Sequence, residues 1–189
     1  MIEVYLFVDP ACTKCLAAEK EVNRITDELN CKVCLRYIPF NSLSSINEAK
    51  QHHLNPYQMT IDYKAALYQG CKKGRRFLQL IQELTLVEHQ AYSDDLVYKA
   101  ALAVKLDLSM FKEDRLSPIL KETIQSDREL VQEMGINDHG NLVMFDCQSN
   151  GHGLLVEKVD YSQLTKIFNH IIKRKSLEKF KATPNLRVL

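Results

Sequence analysis

The chain opens with alternation. Ile2, Val4, Leu6 and Val8 fall on one face and Glu3, Tyr5 and Phe7 on the other, and both faces are largely apolar, as in a buried strand. Asp9-Pro10-Ala11 breaks the run. From Thr13 to Leu29 the period changes. Ala18, Val22, Ile25 and Leu29 recur at helical spacing, Glu19, Lys20, Glu21, Arg24 and Asp27 read as the polar positions, and Asn30 suits a helix stop. Cys31 to Ile38 is a second strand-like run, closed by Pro39. Strand, helix and strand together have the length of a right-handed parallel crossover.

The middle of the chain reads as helices. Asn55-Pro56 is a cap followed by proline at the first helical position, with the helix running to Gly70. Gly74 precedes a second helix, from Arg75 to Glu88. Ser93-Asp94-Asp95 opens a third, with acids at its positive end. Ser109 caps a short turn, and Ser117-Pro118 begins a fifth helical segment ending near Met134-Gly135. No strand pattern occurs between about Ile46 and Gly135. Strands return at Asn141 to Asp146 and at Leu154 to Val159, on either side of Asn150-Gly151, a hairpin turn signal. A last amphipathic helix, Tyr161 to Arg174, carries Leu164, Ile167, Phe168, Ile171 and Ile172 on one stripe. The order reads as an α/β frame of residues 1–54 and 136–174. An all-helical insertion, 55–135, interrupts it, and a basic, poorly patterned tail, 175–189, follows.

With 189 residues, 46% of them hydrophobic, the chain can bury a real core. A formal net charge of +1 gives no global pull toward nucleic acid or an anionic membrane, so neither is an expected partner. Met1-Ile2-Glu3-Val4-Tyr5 lacks the pattern of a secretory signal, and no apolar run reaches the length of a membrane span. Cytoplasm is therefore the expected location. In a reducing compartment six cysteines are not a disulfide framework but packed small residues, a catalytic pair or metal ligands.

Cys12-x-x-Cys15 and Cys31-x-x-Cys34, fifteen residues apart, match a zinc spacing. The local pattern argues against it. Cys31 and Cys34 lie in a strand-like run, where side chains three residues apart point to opposite faces, so they read as packed small residues. Cys12 and Cys15 sit between a strand and a helix start. There the free backbone N–H groups and the helix dipole favour a thiolate at Cys12, with Cys15 one turn on to resolve a mixed disulfide. Pro10, Thr13 and Lys14 are auxiliary, Lys14 adding a positive charge if its side chain reaches the pair. The remaining candidates read as surface features: His52-His53 as a solvated pair, and the basic run around Gly74 in "CKKGRRF" as an interhelical loop. No metal and no bound organic cofactor is expected beyond a redox-active Cys12–Cys15 disulfide.

"FVDPACTKC" between a strand and a helix, followed by a helical insertion, a hairpin and a last helix, resembles the thioredoxin superfamily. Inside the insertion, "YKAALYQGCKKGRRFLQL" and "AALAVKLDLSMFKEDRLS" are similar to stretches of its DsbA-like branch. The resemblance implies a thioredoxin-like fold and a dithiol oxidoreductase or isomerase acting on protein substrates through Cys12 and Cys15. "FVDP" ahead of the CxxC also resembles the Firmicutes YjbH/SpxH adaptor group, which implies instead an adaptor or redox sensor holding a partner such as the regulator Spx for the ClpXP protease. One position departs from the superfamily. The loop that faces the dithiol with a cis-proline reads His139-Gly140-Asn141 here, and the five prolines, Pro10, Pro39, Pro56, Pro118 and Pro184, all lie elsewhere. Gly140 takes the proline's place and leaves room beside Cys12 for a partner or a metal. His139 is read first as a loop residue, with a proton donor and a ligand as the alternatives.

Overall fold

A computed structural model describes residues 1–29, 31–40, 46–146, 153–173 and 186–188. Among these residues five strands form one sheet in the order β2-β1-β3-β4-β5. β1 (Ile2–Val8) runs parallel to β2 (Val33–Pro39), and α1 (Thr13–Glu28) is the crossover between them. β3 (Leu142–Asp146) lies antiparallel on the other side of β1, with Leu6 opposite Leu142, and β4 (Gly153–Val156) pairs antiparallel with β3. β1 is apolar on both faces because both are covered. Val4, Leu6 and Val8 share one cluster with Val22 and Ile25 of α1 and with Leu164, Ile167 and Phe168 of α8 (Tyr161–Ile172). Phe7 points the other way, into a cluster with Val131, Ile136, Val143 and Leu155.

Among the described residues six α-helices lie between β2 and β3: α2 (Ile46–Gln51), α3 (Pro56–Leu67), α4 (Cys71–Gln82), α5 (Asp94–Ala103), α6 (Leu108–Arg115) and α7 (Ile119–Glu133). Their starts follow the expected chemistry. The Asn55 side chain accepts from the Gln58 N–H at 3.2 Å and Ser93 from Leu96 at 3.3 Å, each satisfying one orphan donor of the first turn. Met59, Phe77, Ile81, Val97 and Phe111 meet in a core built mainly by these helices, with Ala11 of the β1–α1 turn at its edge. No helix among the described residues is long and apolar enough to cross a membrane.

Several expectations give way. The run "CKKGRRF" is not a loop: α4 begins at Cys71, and Gly74 lies inside its first turns. An added Cβ there would sit 2.6 Å from Leu67 Cδ2 and 3.0 Å from Leu67 Cα, so this glycine is a close approach between α3 and α4. Arg75 is likewise engaged, donating to the Leu35 carbonyl at 2.9 Å. α4 ends at Gln82 and passes into a π-helical turn, Glu83–Val87, rather than continuing as one α-helix. Asp107, not Ser109, caps α6, accepting from the Met110 N–H at 2.9 Å. β4 stops at Val156, and the tail supplies a strand, β5 (Leu186–Val188), antiparallel to β4. His53 is exposed as expected, and half-buried His52 stacks on the exposed His89, ring centroids 5.1 Å apart. The Asn30 stop, the Asn150-Gly151 turn, Arg174 and most of the tail lie outside the described residues.

A buried ionic cluster joins these helices. Asp62, its side chain 1% exposed, accepts from Arg115 Nε at 2.7 Å and from Tyr92 and Gln58, while Arg115 Nη2 also donates to Asp94 at 2.8 Å. Burial raises the Asp62 pKa and Arg115 opposes that rise. Removing one partner of such a pair strands a buried charge. Arg115→Gln is expected to cost about 3 kcal/mol at neutral pH in urea unfolding. The loss should shrink as the pH falls into the range where Asp62 can protonate, and an unchanged midpoint at neutral pH would show that the cluster does not brace the helices.

Candidate functional site

The turn between β1 and α1 is set by Asp9. Its carboxylate Oδ1 accepts from the Ala11 N–H at 2.9 Å and its carbonyl from the Cys12 N–H at 3.2 Å, which reverses the chain after Val8. Cys12 is then the N-cap of α1, in extended conformation, its carbonyl accepting from the Leu16 N–H at 3.2 Å. Cys15 lies one turn on and is fully buried, and its Sγ accepts from the Asp9 N–H at 3.1 Å. Both thiols are free, and Cys12 itself is only 2% exposed.

The opposite wall comes from the segment before β3. Gly140 N–H donates to the Phe7 carbonyl at 2.7 Å and Phe7 N–H to the Asn141 carbonyl at 2.9 Å, which ties this segment to the end of β1. Gly140 has φ +78°, the left-handed region that glycine enters freely. His139 is thereby laid on the dithiol. Its Nδ1 is 3.2 Å from Cys15 Sγ, and its side chain is 6% exposed. The expectation that His139 is only a loop residue fails: the chain there is a loop, but the imidazole belongs to the site. Gly140 is the position expected from the sequence to replace the superfamily's proline, and among the described residues no peptide bond is cis.

The environment separates the two thiols. The hydrogen bond from Cys15, then that from His139, holds the Cys12 thiol down at about 5 against the cost of burial. Cys15 moves well above the ordinary thiol range, first because it donates to Cys12 and then because it is buried. Burial pulls His139 down, but its hydrogen bond to Cys12 and the charge of that thiolate outweigh burial and raise it. The pair is therefore arranged as one thiolate and one protonated thiol. Lys14 and Thr13 are exposed and Pro10 is buried in the turn. The cationic partner of Cys12 is His139, not Lys14.

Glu19 departs from its expected place on the polar face. It is completely buried one turn beyond Cys15. Burial raises its carboxyl to about 8; Gln82 beside it offsets part of the rise, and the Cys12 charge adds to it. Neither carboxyl oxygen finds a hydrogen bond of good geometry among the described residues. A signal for it does exist in the sequence. The spacing of Cys12, Cys15, Glu19 and Val22 at i, i+3, i+7 and i+10 puts it on the dithiol's face of the helix. Cys31 and Cys34 stay apart: the potential ligand atoms gathered around the dithiol are those of Cys12, Cys15 and His139. A cavity of about 790 Å³ lies along β2 among Leu35, Tyr37, Tyr63, Lys64, Arg75 and Asp127, and neither thiol of the pair lines it.

The fold agrees with what comparison finds. SpxH of Bacillus subtilis, a ClpXP adapter protein, is 27% identical over 82% of this chain and 62% of its own length. SpxH of Staphylococcus saprophyticus, also a ClpXP adapter protein, is 29% identical over 90% of this chain and 66% of its own length. The chain thus spans less than two thirds of the length of these relatives. Among solved structures, the cytosolic disulfide reductase DsbM of Pseudomonas aeruginosa superposes with TM-score 0.69 at 12% identity, covering 91% of this chain and 99% of that one. DsbA of Xylella fastidiosa superposes with TM-score 0.63 at 16% identity, covering 92% and 85%. These superpositions show a thioredoxin-like fold of the DsbA kind. A family model described as thioredoxin matches residues 5–167, and the chain belongs to that family.

Proposed function

We propose that this chain carries out thiol–disulfide exchange with a partner protein, Cys12 attacking and Cys15 resolving. The observation that supports it best is the split between the two thiols: a thiolate at the head of α1, backed by a protonated thiol within hydrogen-bonding reach. Cys12 attacks one sulfur of a partner disulfide, forming a mixed disulfide and expelling the other partner sulfur as a thiolate. Cys15 then loses its proton and attacks Cys12 Sγ. The partner's remaining sulfur leaves, and two electrons have passed from the dithiol to the partner. In the reverse direction the same steps oxidise a partner dithiol. His139 stabilises the thiolate of the reduced state, and Glu19 is a buried carboxyl with a pKa of about 8, able to hold a proton near neutral pH beside the thiol that must lose one.

A second reading has its own support. The curated relatives carry the name ClpXP adapter protein, and a Cys12 that is 2% exposed with glycine at position 140 is a poor general clamp for extended substrates. In this reading the chain binds a partner protein for delivery to ClpXP in the cytoplasm, and the dithiol tunes the grip. A trap distinguishes the two. Cys15→Ala leaves a mixed disulfide at Cys12 unresolved, so exchange chemistry predicts partners released by reductant. Retention of one partner through reduction, with no covalent adduct, would instead favour the adaptor.

Two further measurements test the site. In ultraviolet thiolate titration Cys12 should ionise near pH 5, shift upward in Cys15→Ala and shift upward by less in His139→Gln, following the order of their contributions. A wild-type value near the free-thiol value of about 8.5 would remove the basis for Cys12 as nucleophile.

Glu19 has a folded pKa of about 8 against an ordinary value of 4.5, so between those limits the folded state holds a proton the unfolded state lacks, and stability falls as pH rises. Glu19→Gln removes that slope. Its stability relative to wild type should grow between pH 5 and pH 8, by at most about 1.4 kcal/mol per pH unit. Parallel stability curves for the two proteins would mean that Glu19 is not held protonated.

A further inference from the structure

We propose that Cys12, Cys15 and His139 form a binding site for one Zn²⁺ ion, with two thiolates and one imidazole as ligands and a fourth position left for water or a partner's group. The ligand atoms come from three points of the chain that the fold brings together: the N-cap of α1, its first turn, and the segment before β3. Both sulfurs and a ring nitrogen of His139 lie within 4.8 Å of one another, with Cys15 Sγ 3.2 Å from Nδ1. A tetrahedral zinc with bonds of about 2.3 Å to sulfur and about 2.0 Å to nitrogen separates two sulfurs by about 3.8 Å and sulfur from nitrogen by about 3.5 Å. The trio can take up such an ion with shifts of a fraction of an ångström to about one ångström.

The donors select the metal class. Two thiolates and an imidazole suit zinc and other borderline or soft ions and exclude calcium and magnesium. The ligands are also held from behind. Cys15 Sγ receives the Asp9 N–H, and the backbone beside His139 is fixed by Gly140 donating to Phe7, so little ordering remains to be done when the ion arrives. A Cβ at Gly140 would meet no heavy atom within 4 Å, so nothing crowds the backbone that follows His139.

Binding converts both thiols to metal thiolates and releases to solvent any proton they still carry. Neither sulfur can then attack a disulfide, so the metal-bound and exchanging forms exclude each other. The site shares the dithiol of the proposed exchange reaction but does not depend on that reaction.

The test uses the full chain, reduced and free of oxygen and chelator, titrated with Co²⁺ as a spectroscopic stand-in for Zn²⁺. One Co²⁺ per chain should bind, with a thiolate-to-cobalt charge-transfer band and intense tetrahedral visible bands, and Zn²⁺ should displace it. Cys12→Ser and Cys15→Ser should each abolish the charge-transfer band. His139→Gln should weaken binding by about tenfold or more, and His139→Cys, which keeps a third ligand, should restore it with an altered spectrum. Cys71→Ser, at an exposed thiol, should bind as wild type does. Folding of each variant is checked by circular dichroism. A folded wild type without the charge-transfer band, or His139→Gln binding with wild-type affinity and spectrum, would overturn the site. Insulin reduction by the metal-free protein is measured in parallel. Exchange without cobalt binding removes the metal site alone, and cobalt binding without exchange upholds it while removing the exchange reading.

Discussion

Two backbone hydrogen bonds at the end of β1 organise the functional end of this protein. Gly140 donates to Phe7, and Phe7 donates to Asn141. Because β1 also runs directly into the Asp9 turn and the head of α1, one strand end positions both walls of the site. The dithiol lies just past the strand's end, and the imidazole on the segment bonded beside it. Their registry is inherited from the β1–β3 ladder, in which Leu6 stands opposite Leu142. A one-residue slip in that ladder would turn the side chains of β3 to the opposite face and take His139 off the cysteines.

Within that frame the chemistry arises from burial and hydrogen bonding rather than from surface charge. Cys12 and Cys15 differ by one helical turn, yet one thiol is held down at about 5 and the other well above its usual range. The difference arises because a buried pair cannot carry two negative charges side by side, so the thiol that receives hydrogen bonds ionises and the one that donates stays protonated. Glu19 obeys the same constraint. It is buried close to that thiolate without a cation, and it keeps its proton to near pH 8. The site therefore holds mobile protons beside sulfur atoms, which exchange and metal binding would each use differently.

The helical block has a core built around Met59, Phe77, Val97 and Phe111, which Ala11 of the β1–α1 turn joins. Its cohesion rests on two kinds of close contact. At Gly74 the backbone of α4 comes against Leu67, which no larger residue would allow without displacement. At Asp62 a buried carboxylate gathers Arg115, Tyr92 and Gln58 and so ties three parts of the block together. The block also reaches the sheet: Arg75 donates to the Leu35 carbonyl of β2 and Tyr63 to the Tyr37 carbonyl.

The sequence alone determined what depends on near neighbours. Period-two and period-3.6 patterning placed β1, α1 and α8, short-range caps placed the starts of α3 and α5, and the CxxC between a strand and a helix put Cys12 at the head of α1 with Cys15 one turn on. These features are set by contacts a few residues apart, so the chain spells them out. Tertiary structure decided the rest. Gly74 resembles a helix breaker because its reason for being glycine, Leu67 of a neighbouring helix, is visible only after packing. The tail shows no strand pattern because the three residues of β5 are too few to display a period and are recruited by the edge of β4. Glu19 has the look of a surface charge until the insertion, through Gln82, covers that face of α1. His139 stands 124 positions from Cys15, and no local rule couples residues so far apart. Only the pairing of β1 with the segment before β3 brings that imidazole onto the sulfur.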